Sequence, residues 1–356
     1  MANILFMGFE HLIATYHAHA NVWDITQPGF LVSTSLVRPG GSLQKISNTS
    51  GAETFGVKSL GANYSHLFAG FGYINTRSPL PSMTNCLFTF YDGATPQVGI
   101  RVLSDGSIGV YAGDTTAATL LGQTAAGVIT TGAVAADYKM IEIEVTFHAT
   151  TGSVVLKVAD TQVLSLTNKN TAPSGTAQAN RFKLRCSTNN NGPESIDDLY
   201  INDDTGSAPE NTFFGEAFVV EGIIATGNGN SSQWVGSDGN STDNYLLVDD
   251  TGNNDTDYIK SGTLNDLDLH SLGNLTNATG TVIGLNHYIV ARKDDVATRT
   301  IASTIRTAST NYVGANKTMT GSYATFIENR LINPNTSLRF TISDVNGLEA
   351  GEKVTT

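Results

Sequence analysis

The sequence predicts an all-β protein whose first and larger part is a β-sandwich or jelly roll. Three observations carry this. Short apolar runs alternate with polar residues at period two, and helical periodicity is nearly absent. Turn dipeptides punctuate the runs at short intervals. Glycine is abundant, 36 of 356 residues, alongside much Thr, Ser and Asn, which suits many short strands joined by tight turns.

The elements follow in order. Strands are expected near 66–74, 84–91, 97–103 and 107–112, separated by Asp92-Gly93, Asp105-Gly106 and Gly113-Asp114. Asp105-Gly106 between two alternating runs is a hairpin signal, because glycine accepts the positive φ such turns need. Residues 140–148 form the clearest strand. Ile141, Ile143, Val145 and Phe147 face one way, and Glu142, Glu144, Thr146 and His148 face the other, predicting one dry and one wet side. Turns at 150–152 and 160–161 then give a meander through 153–158 and 162–166. Strands at 181–186 and 195–201 complete the first domain. Many short strands at this spacing, without helices between them, read as a sandwich or jelly roll.

The polar stretch 202–207 ends that domain, set at 1–210, and 211–356 is a smaller β-rich domain. Residues 216–225 read as an apolar strand, able to pair with the first sheet. Residues 226–257 are rich in Gly, Asn, Ser and Asp and read as a long ordered loop anchored by Trp234 and Tyr245. Strands resume at 282–292, 298–306 and 321–328. One short C-terminal helix is expected over 343–351, with Ser343 as its N-cap and Gly351 as its stop.

A formal net charge of −12 argues against broad nucleic-acid binding, which needs a basic surface. It also argues against docking on anionic lipid. No run approaches a membrane span, and residues 1–11 lack the basic start of a signal peptide, so neither membrane insertion nor Sec export is expected. Cys86 and Cys186 lie in apolar strand-like segments and read as small buried hydrophobes, with a disulfide between them left open. No nucleophile elbow, His-Glu-x-x-His motif or phosphate loop occurs, so no enzyme and no catalytic residue is expected.

Ser195-Ile196-Asp197-Asp198-Leu199-Tyr200-Ile201 resembles the closing strand of concanavalin-like (laminin-G-like) jelly rolls. Gly8-Phe9-Glu10-His11 followed by Trp23 is similar to the start of such domains in tailed-bacteriophage structural proteins. So are Ser232-Gln233-Trp234, the run Asn244 to Asp250, Asp257-Tyr258-Ile259, and the ending from Asn333-Pro334 to Gly351. Leu338-Arg339-Phe340 departs from that pattern where a Trp is expected. The resemblance implies a concanavalin-like jelly-roll β-sandwich followed by a second, smaller β-rich domain with a short C-terminal helix. It further implies a virion structural protein of the tail, tail fibre or capsid surface, homo-oligomeric (trimers included) and docked on other phage virion proteins. The alternative is a receptor-binding module for host surface glycan.

Candidate chemistry is sparse. Asp197 and Asp198 are adjacent, so on a regular strand they point to opposite faces and serve structure rather than paired acid–base work. Asp249, Asp250, Asn253, Asn254, Asp255 and Asp257 supply oxygens of the type calcium takes, but Asx turns explain the same residues, so no cofactor is expected and calcium is the lesser reading. His17 and His19 share a face without a third ligand and read as surface residues. Trp23, Trp234, Tyr245 and Tyr258 are the aromatics in loop-rich sequence, and the last three are the candidates for stacking a glycan.

Overall fold

The computed structural model describes residues 3–9, 23–26, 31–33, 38, 45–47, 54–76, 78, 80, 85–115, 117–186, 194–250 and 255–356. His17, His19, Asn253 and Asn254 lie outside these residues. Among the described residues no helix is long and apolar enough to cross a membrane. The fold is all-β: a jelly-roll β-sandwich, a further β-rich region and one short C-terminal helix. Chain contacts separate two compact units, with the division after Val220.

The sandwich unit carries β1 (Asn3–Met7), β2 (Ile25–Thr26), β3 (Leu31–Ser33), β4 (Lys45–Ser47), β5 (Thr54–Tyr64), β6 (His66–Asn75), β7 (Phe88–Asp92), β8 (Thr95–Val102), β9 (Ile108–Ala112), β10 (Thr119–Gln123), β11 (Lys139–Thr146), β12 (Gly152–Val158), β13 (Thr161–Lys169), β14 (Ala179–Cys186) and β15 (Glu194–Asp203). One sheet runs β13-β12-β11-β6-β15-β4-β3, with β1 also on β15. The other runs β10-β9-β8-β7-β14-β5-β2. Alternation decides which side of each strand is dry. Leu67, Ala69 and Phe71 of the first sheet meet Phe88, Phe90 and Phe182 of the second. Phe71 lies 5.8 Å from Phe88, and Phe90 lies 5.6 Å from Phe147, centroid to centroid. Cys86 carries a free, buried thiol, and burial pushes its pKa up to about 12.

The outward side of the first sheet is not wet as the alternation predicts. Glu142 is fully buried, because residues 211–220 lie across this side. Phe213 packs on Phe68, and Phe214 and Phe218 pack on Tyr200. The Gly215 N–H donates to Glu142 Oε1 at 2.8 Å, and the Met140 N–H donates to Glu216 Oε2 at 2.8 Å. Gly70 makes this possible: a Cβ there would sit 2.3 Å from the Tyr200 ring. Residues 211–220 therefore belong to the sandwich unit, and 216–224 is a turn followed by irregular chain rather than a strand.

His66 sits at the margin of this side, with Nε2 2.9 Å from Glu144 Oε1 and Nδ1 3.3 Å from Asp204 Oδ2. The hydrogen bond to Glu144 raises its pKa above the ordinary imidazole value, against the opposing effect of burial. A raised imidazole contributes stability that is complete below about pH 6.5 and is lost as pH rises through the folded value. Between pH 6 and pH 8 the native protein is expected to lose about 1 kcal/mol more than His66→Gln, a size set by the partial exposure of the pair. Urea denaturation at the two pH values checks this; parallel losses in both proteins would rule it out.

The second unit carries β16 (Ala225–Ser232), β17 (Val235–Gly236), β18 (Ile259–Lys260), β19 (Leu267–Leu272), β20 (Leu285–Ala291), β21 (Thr300–Thr307), β22 (Thr310–Val313), β23 (Lys317–Thr318), β24 (Ala324–Arg330), α1 (Ile342–Asn346) and β25 (Glu349–Val354). Its main sheet runs β16-β19-β25-β21-β22, with β23 also on β21, and β17–β18 and β20–β24 form two ribbons. Two expectations need correction. Residues 225–232 are a strand and not loop, because β19 supplies ladder partners that override a poor strand composition. The helix is capped by Thr341 rather than Ser343, through a reciprocal box in which Asp344 N–H donates to Thr341 Oγ1 and Thr341 N–H to Asp344 Oδ2. It stops at Gly347, so Gly351 lies inside β25, where a Cβ would stand 2.0 Å from the Asp268 carbonyl oxygen.

The inner side of the main sheet has an apolar cluster at each end and a polar band between. Trp234, Ile289, Ile301 and Val354 form one cluster, and Ile305, Phe340, Val345, Leu348 and Ala350 the other. Asp268, Glu352 and Ser303 stand in one register line across β19, β25 and β21. His270 Nε2 lies 3.7 Å from Glu352 Oε1, and His287 Nδ1 lies 2.6 Å from Ser303 Oγ.

Candidate functional site

The sequence candidates do not assemble into one site. Trp234 is 7% exposed and packs in an apolar cluster, with its indole N–H donating to the Asp266 carbonyl oxygen at 3.3 Å, so it has no open face for a sugar. Trp23 is likewise buried, edge-on to Phe182. Tyr245 lies in a 3-10 turn over Asn244–Leu247 and Tyr258 just before β18, both partly exposed. Asp250 and Asp255 are exposed, and Asp249 and Asp257 partly so. Among the described residues no group of three or more His, Cys, Asp or Glu is placed to hold a metal ion.

Asp197 and Asp198 do not diverge as a regular strand requires. The register of β15 slips between Asp197 and Tyr200, and Asp198 takes φ +50°, so both carboxylates turn toward Arg38. The Arg38 N–H donates to Asp197 Oδ2 at 3.1 Å, and Arg38 Nη1 donates to Asp198 Oδ2 at 2.7 Å. Arg38 also donates to the carbonyl oxygens of Glu216 and Phe218. Burial and the neighbouring Asp198 raise the Asp197 carboxyl well above the usual range. The network is fully consumed by structure.

A different constellation lies on the outward side of the second sheet. Because Phe88, Phe90, Val98, Ile100, Val110, Phe182 and Leu184 point inward, the intervening residues point outward. The ladders put Val57, Lys183, Thr89, Gly99, Tyr111 and Leu120 in one line across β5, β14, β7, β8, β9 and β10. Strands lie about 4.8 Å apart, so Lys183 to Tyr111 spans roughly 14 Å. Beside this line stand Tyr91, paired with Arg181, and Arg101, paired with Gly109.

The polar groups here are held in place. Tyr91 Oη donates to Asp114 Oδ2. Lys183 Nζ reaches the same oxygen at 3.2 Å and Arg185 Nη2 at 3.3 Å. Arg185 Nη1 donates to the carbonyl oxygens of Cys86 at 3.2 Å and Asp114 at 3.3 Å. Burial opposes ionisation of Asp114, but the Tyr91 hydrogen bond and the two cations outweigh it and hold the carboxyl below its ordinary value. Burial and Asp114 raise the Tyr91 phenol, which keeps it a donor. Lys183 Nζ also lies 4.8 Å from the Phe55 ring centre and 5.0 Å from that of Tyr91. Arg101 stacks over Tyr111 at 4.1 Å. Gln97 Oε1 is buried with no partner among the described residues. This side thus holds fixed donors along a strand-crossing path, but its rings are nearly covered, Tyr91 being 8% and Tyr111 5% exposed, and Lys183 is its more open group. The signal was present in the sequence as basic residues at every second position of Arg181-Phe182-Lys183-Leu184-Arg185.

No family model matches this chain, and no curated protein matches it. Solved structures align with about half of the chain at low similarity. An endo-β-1,4-glucuronan lyase from the fungus Trichoderma reesei aligns at 11% identity over 51% of this chain and 91% of its own, with a TM-score of 0.38. A cellulose-induced protein aligns at 11% identity over 55% and 96%, with a TM-score of 0.38. A Bacillus subtilis protein with a galectin-like fold aligns at 8% identity over 57% and 96%, with a TM-score of 0.36. The first unit is a jelly-roll β-sandwich of two antiparallel sheets.

Proposed function

We propose that this chain is a carbohydrate-binding protein that presents the outward side of the β10-β9-β8-β7-β14-β5-β2 sheet to a glycan and performs no reaction on it. The carrying observation is the fixed line from Lys183 to Tyr111, flanked by Tyr91, Arg101 and Arg185. Sugars are bound by preset donors and aromatic rings, and donors already held by neighbours lose little entropy on binding. Lys183→Met keeps the aliphatic stem and removes the ammonium. It is expected to weaken binding of the whole chain to its best glycan-array hit about tenfold, or roughly 1.4 kcal/mol. An unchanged affinity would remove this side of the sheet from the reading.

A second reading is a structural role on a tailed-phage particle, by docking on other virion proteins. It is supported by the motifs at 195–201, 232–234 and 244–259. Immunogold labelling of source particles tests it: label on capsid or tail is expected, and bare particles would sink it.

A further inference from the structure

Resting on the glycan reading, we infer that the ligand is acidic and that Arg101 is the residue that takes its carboxylate or sulfate. Arg101 is 8% exposed, yet among the described residues its guanidinium makes no hydrogen bond and no ion pair. Its Nε is buried without a partner. It stacks over the Tyr111 ring, which attracts the cation but accepts none of its five N–H donors in a fork. Asp114, the carboxylate of this constellation, is already shared by Tyr91, Lys183 and Arg185. Four cations, Arg101, Arg181, Lys183 and Arg185, stand on this side, and only Lys183 and Arg185 reach Asp114, in a chain whose net charge is −12.

A buried guanidinium without an acceptor is costly, and an incoming anion would relieve that cost. The planar fork of arginine matches two oxygens of a carboxylate or a sulfate, and Tyr111 beneath it fixes the plane in which those oxygens must lie. Sheet register sets the rest of the arrangement. Arg101 and Tyr111 belong to the neighbouring strands β8 and β9, while Lys183 stands three strands from Tyr111 along the line. A polymer crossing the strands would place an acidic group on Arg101 and meet Lys183 further along.

Affinity electrophoresis of the whole chain tests this, in gels cast with polygalacturonate, with dextran sulfate, or with neutral dextran. The native protein is expected to be retarded by an acidic polymer and not by dextran. Retardation by polygalacturonate alone assigns a carboxylate, and by dextran sulfate alone a sulfate ester. Arg101→Gln is expected to lower the affinity at least tenfold while leaving the melting temperature equal or higher, because it removes an uncompensated buried charge. Lys260→Gln, an exposed change in the second unit, is expected to alter nothing. A lower melting temperature for Arg101→Gln would assign the guanidinium to packing on Tyr111 and overturn the inference. Equal retardation of Arg101→Gln and native protein, or binding to neutral dextran alone, would overturn it too while leaving the glycan reading standing. No retardation by any of the three, together with an empty glycan array, would sink both.

Discussion

Replacing Arg38 by alanine is expected to destabilise the sandwich unit by about 3–5 kcal/mol, the cost of leaving a buried carboxylate without its cation. Arg38 is 5% exposed and Asp198 is fully buried, so water cannot replace the lost guanidinium. Asp198 loses its side-chain donor, while Asp197 keeps the backbone N–H of residue 38, which alanine retains. The same change frees the carbonyl oxygens of Glu216 and Phe218, which the guanidinium ties to the sheet. Val220 N–H still donates to Asp198 Oδ1 at 2.8 Å, so residues 216–220 loosen without being wholly released. Arg38→Lys restores one charge but not the fork, and is expected to recover less than half of the loss. Urea denaturation gives the stability, and proteolysis between 205 and 220 gives the local effect. A loss under 1 kcal/mol with unchanged proteolysis would show that the network is dispensable.

Local patterns foretold the local elements of this fold. Asp105-Gly106 joins β8 to β9 with Gly106 at φ +77°, and the β11-β12-β13 meander falls where period-two alternation placed it. Apart from the helix cap and stop, which were misplaced locally, what failed depends on a distant partner. Asp197 and Asp198 diverge on any regular strand, and only the bulge in β15 turns them both toward Arg38, 159 and 160 residues away. Glu142 has the sequence of a wet position, and residues 211–220 bury it from beyond the expected domain boundary. Ala225–Ser232 has the composition of a loop, yet Gly229 suits the site, since a Cβ would meet the Leu269 carbonyl oxygen at 2.6 Å.

The candidate site was harder to read than the fold for the same reason. Arg101, Tyr111 and Lys183 come from β8, β9 and β14, and β14 joins β7 only after the whole β11-β12-β13 meander has left for the other sheet. Attention to loops favoured Trp234, Tyr245 and Tyr258, since a lone aromatic in polar sequence looks available. Packing reverses that inference for Trp234, which the second unit uses as a core residue.

Trp234 also borders the polar band, where Asp268→Asn is expected to raise the stability of the second unit by about 3 kcal/mol at pH 8 and by about half that at pH 5. Asp268 is fully buried, and burial, with help from Glu352, pushes its pKa up to about 6. A carboxyl raised from 3.8 in the unfolded chain carries its full penalty above about pH 6 and sheds it as pH falls toward 4. Asparagine keeps one oxygen for the Trp234 N–H and the Asn244 amide, which donate to Asp268 Oδ2 at 3.0 Å and 2.6 Å. His287 works in the opposite direction, since burial pushes it down to about 4 and the unfolded chain takes up that proton below about pH 6.5. In the native protein the two groups offset each other across this window. Asp268→Asn removes one of them, so the variant should lose stability steeply between pH 6.5 and pH 4.5 where the native protein stays nearly level. His270, which Glu352 and Asp268 raise against burial, adds a smaller native loss as pH climbs above 6.5. Hydrogen exchange of β19 and β25 peptides at pH 5 and pH 8 reads the second unit alone. Equal protection of variant and native protein at both pH values would mean that Asp268 is not held ionised at a cost.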